Sequence, residues 1–449
     1  METPIFDFVS RYAASGTSRL HMPGHKGVGP LGCERLDITE IQGADSLYEA
    51  SGVIAASERN AAALFGAGST FYSAGGSSQC LKAMLYLALQ ATGRRTILAA
   101  RNVHKAFVHA AALLDLRVEW LWPEPYQLLR CDVTAERLEE ALRRMKEPPA
   151  AVYLTSPDYL GHMQPIEALA PVCHRHGVPL LVDNAHGAYL HFLPVPLHPL
   201  DLGADLCCDS AHKTLPVLTG GAYLHMAQPE EMGGETAARQ AMALFGSTSP
   251  SYLILQSLDL CNKYLAGEFP VQLAETVERI SRLKGQLRTR GWDVADSEPL
   301  KIVVRTSSGT ALADGLRRHG VECEYADPDH LVLMVSPQNQ VEDYERIWLA
   351  FSSCERKTEG HKAPLGMAPP ERIMSIRQAL LSPWEEVPAD QAVGRICAAP
   401  SVSCPPAVPV VVSGERIEAD AAEVFRYYGI SSVYVVKEQP GKSRASAEA

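Results

Sequence analysis

The chain has 449 residues, 46% of them hydrophobic and 21% charged, with a formal net charge of −11. That length exceeds what one hydrophobic core serves and predicts two or three domains. The acidic balance, without a cluster of Lys and Arg, argues against a nucleic-acid partner.

No run approaches the roughly 18 apolar residues of a membrane span, and the N-terminus Met1-Glu2-Thr3-Pro4-Ile5-Phe6-Asp7 lacks the pattern of a signal peptide. The eleven cysteines are scattered and form no C-x-x-C pair, as expected for reduced thiols. A cytoplasmic protein without membrane contact is the expectation.

After one short helix the first fifty residues are rich in Gly and Pro and predict an extended arm centred on His21-Met22-Pro23-Gly24-His25-Lys26. Such an arm suits a ligand or a neighbouring subunit. Gly27-Val28-Gly29-Pro30-Leu31-Gly32 matches G-x-G-x-x-G, but a polar loop precedes it and no apolar-periodic helix follows, so it is rejected as a dinucleotide site. A helix is predicted over 57–64 and a strand over 70–73. Ala74-Gly75-Gly76-Ser77-Ser78-Gln79 then leads into a helix over 80–89. Small residues at a strand-to-helix junction leave backbone N–H groups free for a phosphate, and the helix dipole adds to the attraction.

From there strands are predicted over 96–99, 118–121, 151–154, 179–182 and 205–208, alternating with helices over 105–114, 134–145 and 166–176. This alternation predicts an α/β fold, a mainly parallel sheet with helices on both faces. Ligands of such sheets gather at the carboxyl ends of the strands. Asp183, Lys213, the Asn102-Val103-His104 stretch and Ser156-Pro157-Asp158-Tyr159 all fall there, on one predicted rim. A long helix over 270–287 leaves this domain. It is followed by a smaller α/β unit with strands over 301–304 and 331–334 and helices over 310–319 and 341–352. A polar linker (355–362) and a final segment with a helix over 372–381 complete the chain, whose tail, 441–449, is expected to be disordered. The predicted domains are 1–268 (arm and large domain), 269–357 (small α/β domain) and 366–440 (C-terminal domain).

Leu180-Leu181-Val182-Asp183 reads as a central strand ending in an acid, and a buried carboxylate needs a cationic partner. Lys213 follows the next strand, beside Ser210 and His212. A lysine used for chemistry must lose its proton, and burial or nearby cations favour that. Pyridoxal 5′-phosphate needs both groups: a lysine for its Schiff base and an acid facing its ring nitrogen. Ala185 is small enough to let a flat ring lie close, and His104 could stack on the opposite face. Ser210-Ala211-His212-Lys213 also fits S-x-x-K. The companion S-D-N and K-T-G motifs are missing, so a serine-acyl enzyme is rejected. His174 and His176 would point in different directions on a helix, and no Cys/His spacing suggests a metal.

His21-Met22-Pro23-Gly24-His25-Lys26, Arg101-Asn102-Val103-His104-Lys105, Asp183-Asn184-Ala185-His186-Gly187 and Ser210-Ala211-His212-Lys213 together resemble the bacterial ornithine/lysine/arginine decarboxylases. Ser247-Thr248-Ser249-Pro250-Ser251-Tyr252, Gly394-Arg395-Ile396, Cys404-Pro405-Pro406 and Gly414-Glu415 extend the likeness, which covers residues 3 to about 435. The resemblance implies the type I fold of pyridoxal-phosphate-dependent transferases, that cofactor, and decarboxylation of a small basic amino acid to an amine of polyamine metabolism. It also implies a homodimer or higher homo-oligomer with shared active sites. Lys213, His104 and His212 are then the catalytic residues. Gly76, Ser77, Ser78, His104, Asp183, Ala185, His186, Ser210, His212, Lys213 and Thr248 are the cofactor-binding ones, Thr248 reaching a neighbouring subunit's cofactor. Departures are Asn184 where many members carry Glu, Gly76 where Thr is frequent and Asp158 where Thr is common. Another reaction of the same cofactor, or a catalytically silent cofactor-binding protein, are the alternatives.

Overall fold

The computed structural model of the protein describes residues 1–124, 128–356, 367–404 and 408–438. Part of the polar linker (357–362), Pro405-Pro406 and the tail lie outside them.

Seven strands form the large sheet: β1 (Ser69–Ser73), β2 (Thr96–Ala100), β3 (Arg117–Leu121), β4 (Ala151–Thr155), β5 (Leu180–Asp183), β6 (Leu206–Asp209) and β7 (Ala222–Met226). Their order is β1-β7-β6-β5-β4-β2-β3. All neighbours pair in parallel except β7, which runs antiparallel between β1 and β6. The six remaining strands therefore end on the same rim.

Strand alternation builds two cores from one sheet, because successive side chains point to opposite faces. Leu98, Val152, Leu154, Leu180, Val182 and Cys207 face one way, toward helices Ala135–Arg144 and Ile166–Arg175. Ile97, Ala99, Tyr153, Leu181, Leu206 and Cys208 face the other, toward helices Ser77–Thr92 and Lys105–Leu114. Near-continuous apolar strands in the sequence are the signature of this double burial.

Several predicted elements appear within a residue or two of their expected bounds. Others differ for local reasons. The helix expected over 80–89 begins at Ser77, directly after a Gly76 with φ +74°. The helix expected over 372–381 is Ile376–Leu381, because Ser375 and Gln378 close a capping box there. Strand β7 and helices Gly234–Phe245 and Tyr252–Leu265 were not anticipated. After Gly32 only a three-residue 3₁₀ turn, Glu34–Leu36, follows, so the G-x-G-x-x-G letters open no α-helix.

Helix Phe269–Thr289 leads to a second sheet of β8 (Asp293–Val294), β9 (Lys301–Arg305), β10 (Tyr325–Ala326) and β11 (His330–Met334), ordered β10-β11-β9-β8 and antiparallel throughout. Beyond residue 367 come two two-stranded ladders, β12 (Trp384–Pro388) with β15 (Ser432–Val436) and β13 (Ser401–Cys404) with β14 (Val408–Val412). Val408, Val410, Val411 and Phe425 of this segment join the core around Leu98 and Val182. Arg101 and Glu415 lock it to the large sheet through two parallel 2.7 Å bonds, with the guanidinium also lying over Trp120 and Trp122.

Candidate active site

Strands β1, β2, β4, β5 and β6 are each followed on the common rim by polar side chains. After β1 the chain turns at Gly76 into helix Ser77–Thr92. A Cβ on Gly76 would meet nothing within 4 Å, so open space adjoins this turn. Ser77 and Ser78 open the helix, where backbone N–H groups have no intrahelical acceptor. Ser210, just past β6, donates its hydroxyl to Ser77 Oγ at 2.6 Å. Two strands thus contribute hydroxyls to one place beside a helix N-terminus.

Asp183 closes β5 and is 3% exposed. Its Oδ2 accepts the Tyr153 hydroxyl at 3.1 Å, its Oδ1 accepts the Ala185 N–H at 3.2 Å, and the Cys208 thiol points at Oδ1 from 3.7 Å. Strand parity explains the trio: Tyr153 on β4 and Cys208 on β6 face the same side of the sheet as Asp183. Burial and the Asp183 charge hold the Tyr153 hydroxyl well above its ordinary pKa, so it stays a donor. Sequence reading missed Tyr153; the parallel register of β4 beside β5 is the signal that points to it.

Lys213 follows β6 within the short helix Ala211–Thr214. Its Nζ lies 3.0 Å from Nε2 of His186. Lys213 and His104 are both exposed on the rim. Burial lowers the Lys213 pKa, against the opposing pull of Asp183 and Glu324. Burial also lowers the pKa of His104, with Asp183 opposing and Lys213 reinforcing the shift. His104 caps helix Lys105–Leu114, its Nδ1 accepting the Ala106 N–H at 3.2 Å, so the neutral ring carries its proton on Nε2.

His186 is buried, and that burial, together with Lys301 and Lys213, holds its pKa well below 6.5. The Tyr159 ring meets its edge at 5.2 Å. Tyr159 in turn donates to Glu324 at 2.6 Å, which brings the second sheet's unit to the rim. His212, beside Lys213, is half-buried, and its pKa is lowered by burial and by the Lys213 charge. Thr248 is exposed, and its side chain has no hydrogen-bond partner among the described residues.

The departures from the family pattern have structural counterparts. The Asn184 amide donates to Asp209 Oδ1 at 2.7 Å in the interior. Asp158 accepts from the backbone and the ring of His162 at 2.9 and 3.0 Å. Gly76 occupies a backbone region open to glycine almost alone (φ +74°, ψ 175°). The S-x-x-K alternative finds no support, since Ser210 bonds Ser77 and the Lys213 amine bonds His186. His174 and His176 turn to separate acids, Asp205 and Glu139.

Comparison with known proteins agrees with this architecture. The chain is 29% identical over 456 residues to the uncharacterized protein YaaO of Bacillus subtilis, covering 94% of this chain and 93% of that one. It is 28% identical over 464 residues to an arginine decarboxylase of the same organism, covering 95% and 93%. In fold it is similar to the constitutive lysine decarboxylase of Escherichia coli (TM-score 0.78, 19% identity, 97% of this chain and 82% of that one). The lysine decarboxylase LdcF of Francisella novicida gives a TM-score of 0.80 at 17% identity, covering 97% and 81%. A family model described as Orn/Lys/Arg decarboxylase, major domain, matches residues 3–307, and one described as the C-terminal domain matches residues 367–443. The chain belongs to the Orn/Lys/Arg decarboxylase family.

Proposed function

We propose that the protein binds pyridoxal 5′-phosphate and decarboxylates a small basic amino acid (lysine, ornithine or arginine) to the corresponding amine, a polyamine or its precursor. The observation that carries this reading is the Lys213 amine, held 3.0 Å from Nε2 of His186, on the same rim as the buried Asp183 carboxylate.

The donor set fits the cofactor. Ser77, Ser78 and Ser210 offer hydroxyls and helix-start N–H groups beside the open space at Gly76, which suits a phosphate. Asp183 would hold the protonated ring nitrogen, its carboxylate fixed by Tyr153 and Ala185. Lys213 would attach the aldehyde, and His104, Ala185, His186 and His212 would line the ring. When bound, the cofactor supplies an electron sink for the pair left as the Cα–carboxylate bond breaks.

The chain's own residues then manage protons. His186 stays neutral near pH 7 and accepts from the Lys213 ammonium at Nε2, which places that proton at the rim. His212 is also a weakened base and so carries little proton near neutrality. Lys213 Nζ is the better candidate to return a proton to the substrate's α-carbon.

A homodimer or larger homo-oligomer completes this reading. Leu20, Met22, Val28 and Leu31 of the N-terminal arm are 93%, 69%, 80% and 81% exposed, an apolar surface suited to a second copy. Thr248 would meet a neighbouring subunit's cofactor. No helix among the described residues is long and apolar enough to cross a membrane, and a cytoplasmic location fits that.

Incubation with lysine, ornithine and arginine in the presence of added pyridoxal phosphate tests the proposal, with carbon dioxide and the amine product identified by mass. Carbon dioxide release from one of the three is expected. A keto acid or an aldehyde product instead would place the protein with another reaction of the cofactor.

A further inference from the structure

We propose that His198, Cys207, Asp209 and His225 form a closed structural site for one divalent transition-metal ion, zinc being the best match. The site lies on the face of the large sheet opposite Asp183.

The β6–β7 register pairs Cys207 directly with His225. Asp209, two residues beyond Cys207, shares its face. His198 arrives from the loop that precedes β6. All four side chains are 0% exposed. The donor atoms of His198, Cys207 and Asp209 lie within 4.8 Å of one another. Asp209 Oδ2 is 3.0 Å from His198 Nε2 and 3.4 Å from His225 Nε2, and Cys207 Sγ is 3.8 Å from His198 Nε2. Zinc bonds of about 2.0–2.3 Å at a tetrahedral centre set donor atoms roughly 3.3–3.6 Å apart, close to these separations.

A second observation points to a ligand. His225 Nε2 is fully buried and makes no well-formed hydrogen bond, only the 3.4 Å contact with Asp209 Oδ2, while its Nδ1 is held 2.8 Å from Thr70 Oγ1. An outer nitrogen fixed by a hydroxyl and an inner one turned toward the other donors is how metal-binding histidines are oriented. Asn184 holds Asp209 Oδ1 at 2.7 Å, which leaves Oδ2 to the histidines. One thiolate, two imidazoles and one carboxylate suit zinc better than magnesium or calcium, which take oxygen sets. Four protein donors leave no open position, so the ion would brace β6 against β7 just before Ser210–Lys213.

In the competing arrangement a proton replaces the metal, with His198 Nε2–H donating to Asp209. The long 3.4 Å contact from the Leu200 N–H to His198 Nδ1 belongs to that arrangement. To separate the two, the full-length protein is expressed in zinc-supplemented medium, saturated with pyridoxal phosphate, dialysed against a weak chelator and analysed for metal content. About one zinc ion per chain is expected, falling at least about tenfold in Cys207→Ser and in His225→Gln. Cys173→Ser, at a buried cysteine of helix Ile166–Arg175, keeps the metal. X-ray absorption at the zinc edge of the wild type, which does not depend on the variants folding, shows one sulfur among the donors. A folded wild type without bound metal, zinc with no sulfur donor, or zinc retained by both cluster variants overturns the proposal.

Discussion

The Lys213 amine and the Nε2 of His186 stand 3.0 Å apart, and each is a weaker base than it would be in water. Burial lowers both, and the Lys213 charge lowers His186 further. Two bases in contact hold one proton more readily than two, which keeps His186 neutral and available as an acceptor. Protein packed around the amine leaves Lys213 poised to lose its proton at a lower pH than a fully solvated lysine.

Lys213→Ala removes the only group in this pair able to form a covalent link to an aldehyde. The variant is expected to lose the absorbance of bound cofactor and all measurable carbon dioxide release while keeping its far-ultraviolet circular dichroism. A wild-type protein that stays colourless with added pyridoxal phosphate would sink the cofactor assignment itself.

Asp183→Asn keeps the shape of the β5 end and removes its charge. Some cofactor is expected to remain bound, with kcat lowered roughly 100-fold, equivalent to about 2.7 kcal/mol of lost transition-state stabilisation. Steady-state kinetics on the preferred amino acid measures this. Undiminished turnover would mean that Asp183 does not face the ring nitrogen.

Stability of the cofactor-free protein is expected to fall with pH below about 6.5. His104, His186 and His212 all have pKa values lowered from 6.5 in the fold. The unfolded chain therefore binds protons in this range that the folded chain does not, so their contribution is full above 6.5 and is lost as pH falls. Thermal unfolding across this range should show the decline, and His186→Gln should make it shallower.

Gly76→Ala places a side chain at φ +74°, ψ 175°. Space is not the obstacle, since the added Cβ meets nothing within 4 Å; the backbone conformation is, at about 1–3 kcal/mol. Urea unfolding should report that loss, and cofactor titration a weaker affinity.

Glu415→Gln breaks the buried ion pair with Arg101, whose side chains are 0% and 3% exposed. Loss of one partner from such a pair costs about 3–5 kcal/mol because the other charge stays buried alone. A lower unfolding temperature is the expected outcome. Stability unchanged by the substitution would show that the contact does little to hold the C-terminal segment on the large sheet.

The sequence by itself determined the α/β alternation, because strands buried on both faces must be apolar without interruption and helices must repeat at 3.6 residues. It also marked Asp183, His104 and Lys213, since polar residues just past apolar strands have few structural reasons to be there. It did not reveal β7, Tyr153 or Glu324. Tyr153 is one more apolar-looking residue on a buried strand until β4 pairs beside β5, and Glu324 is an ordinary surface acid until Tyr159 reaches it. His198, Cys207, Asp209 and His225 share no motif spacing, because strand pairing and a loop bring them together. Local periodicity is written in neighbouring residues, whereas these contacts depend on strand order and register, which only the tertiary structure decided.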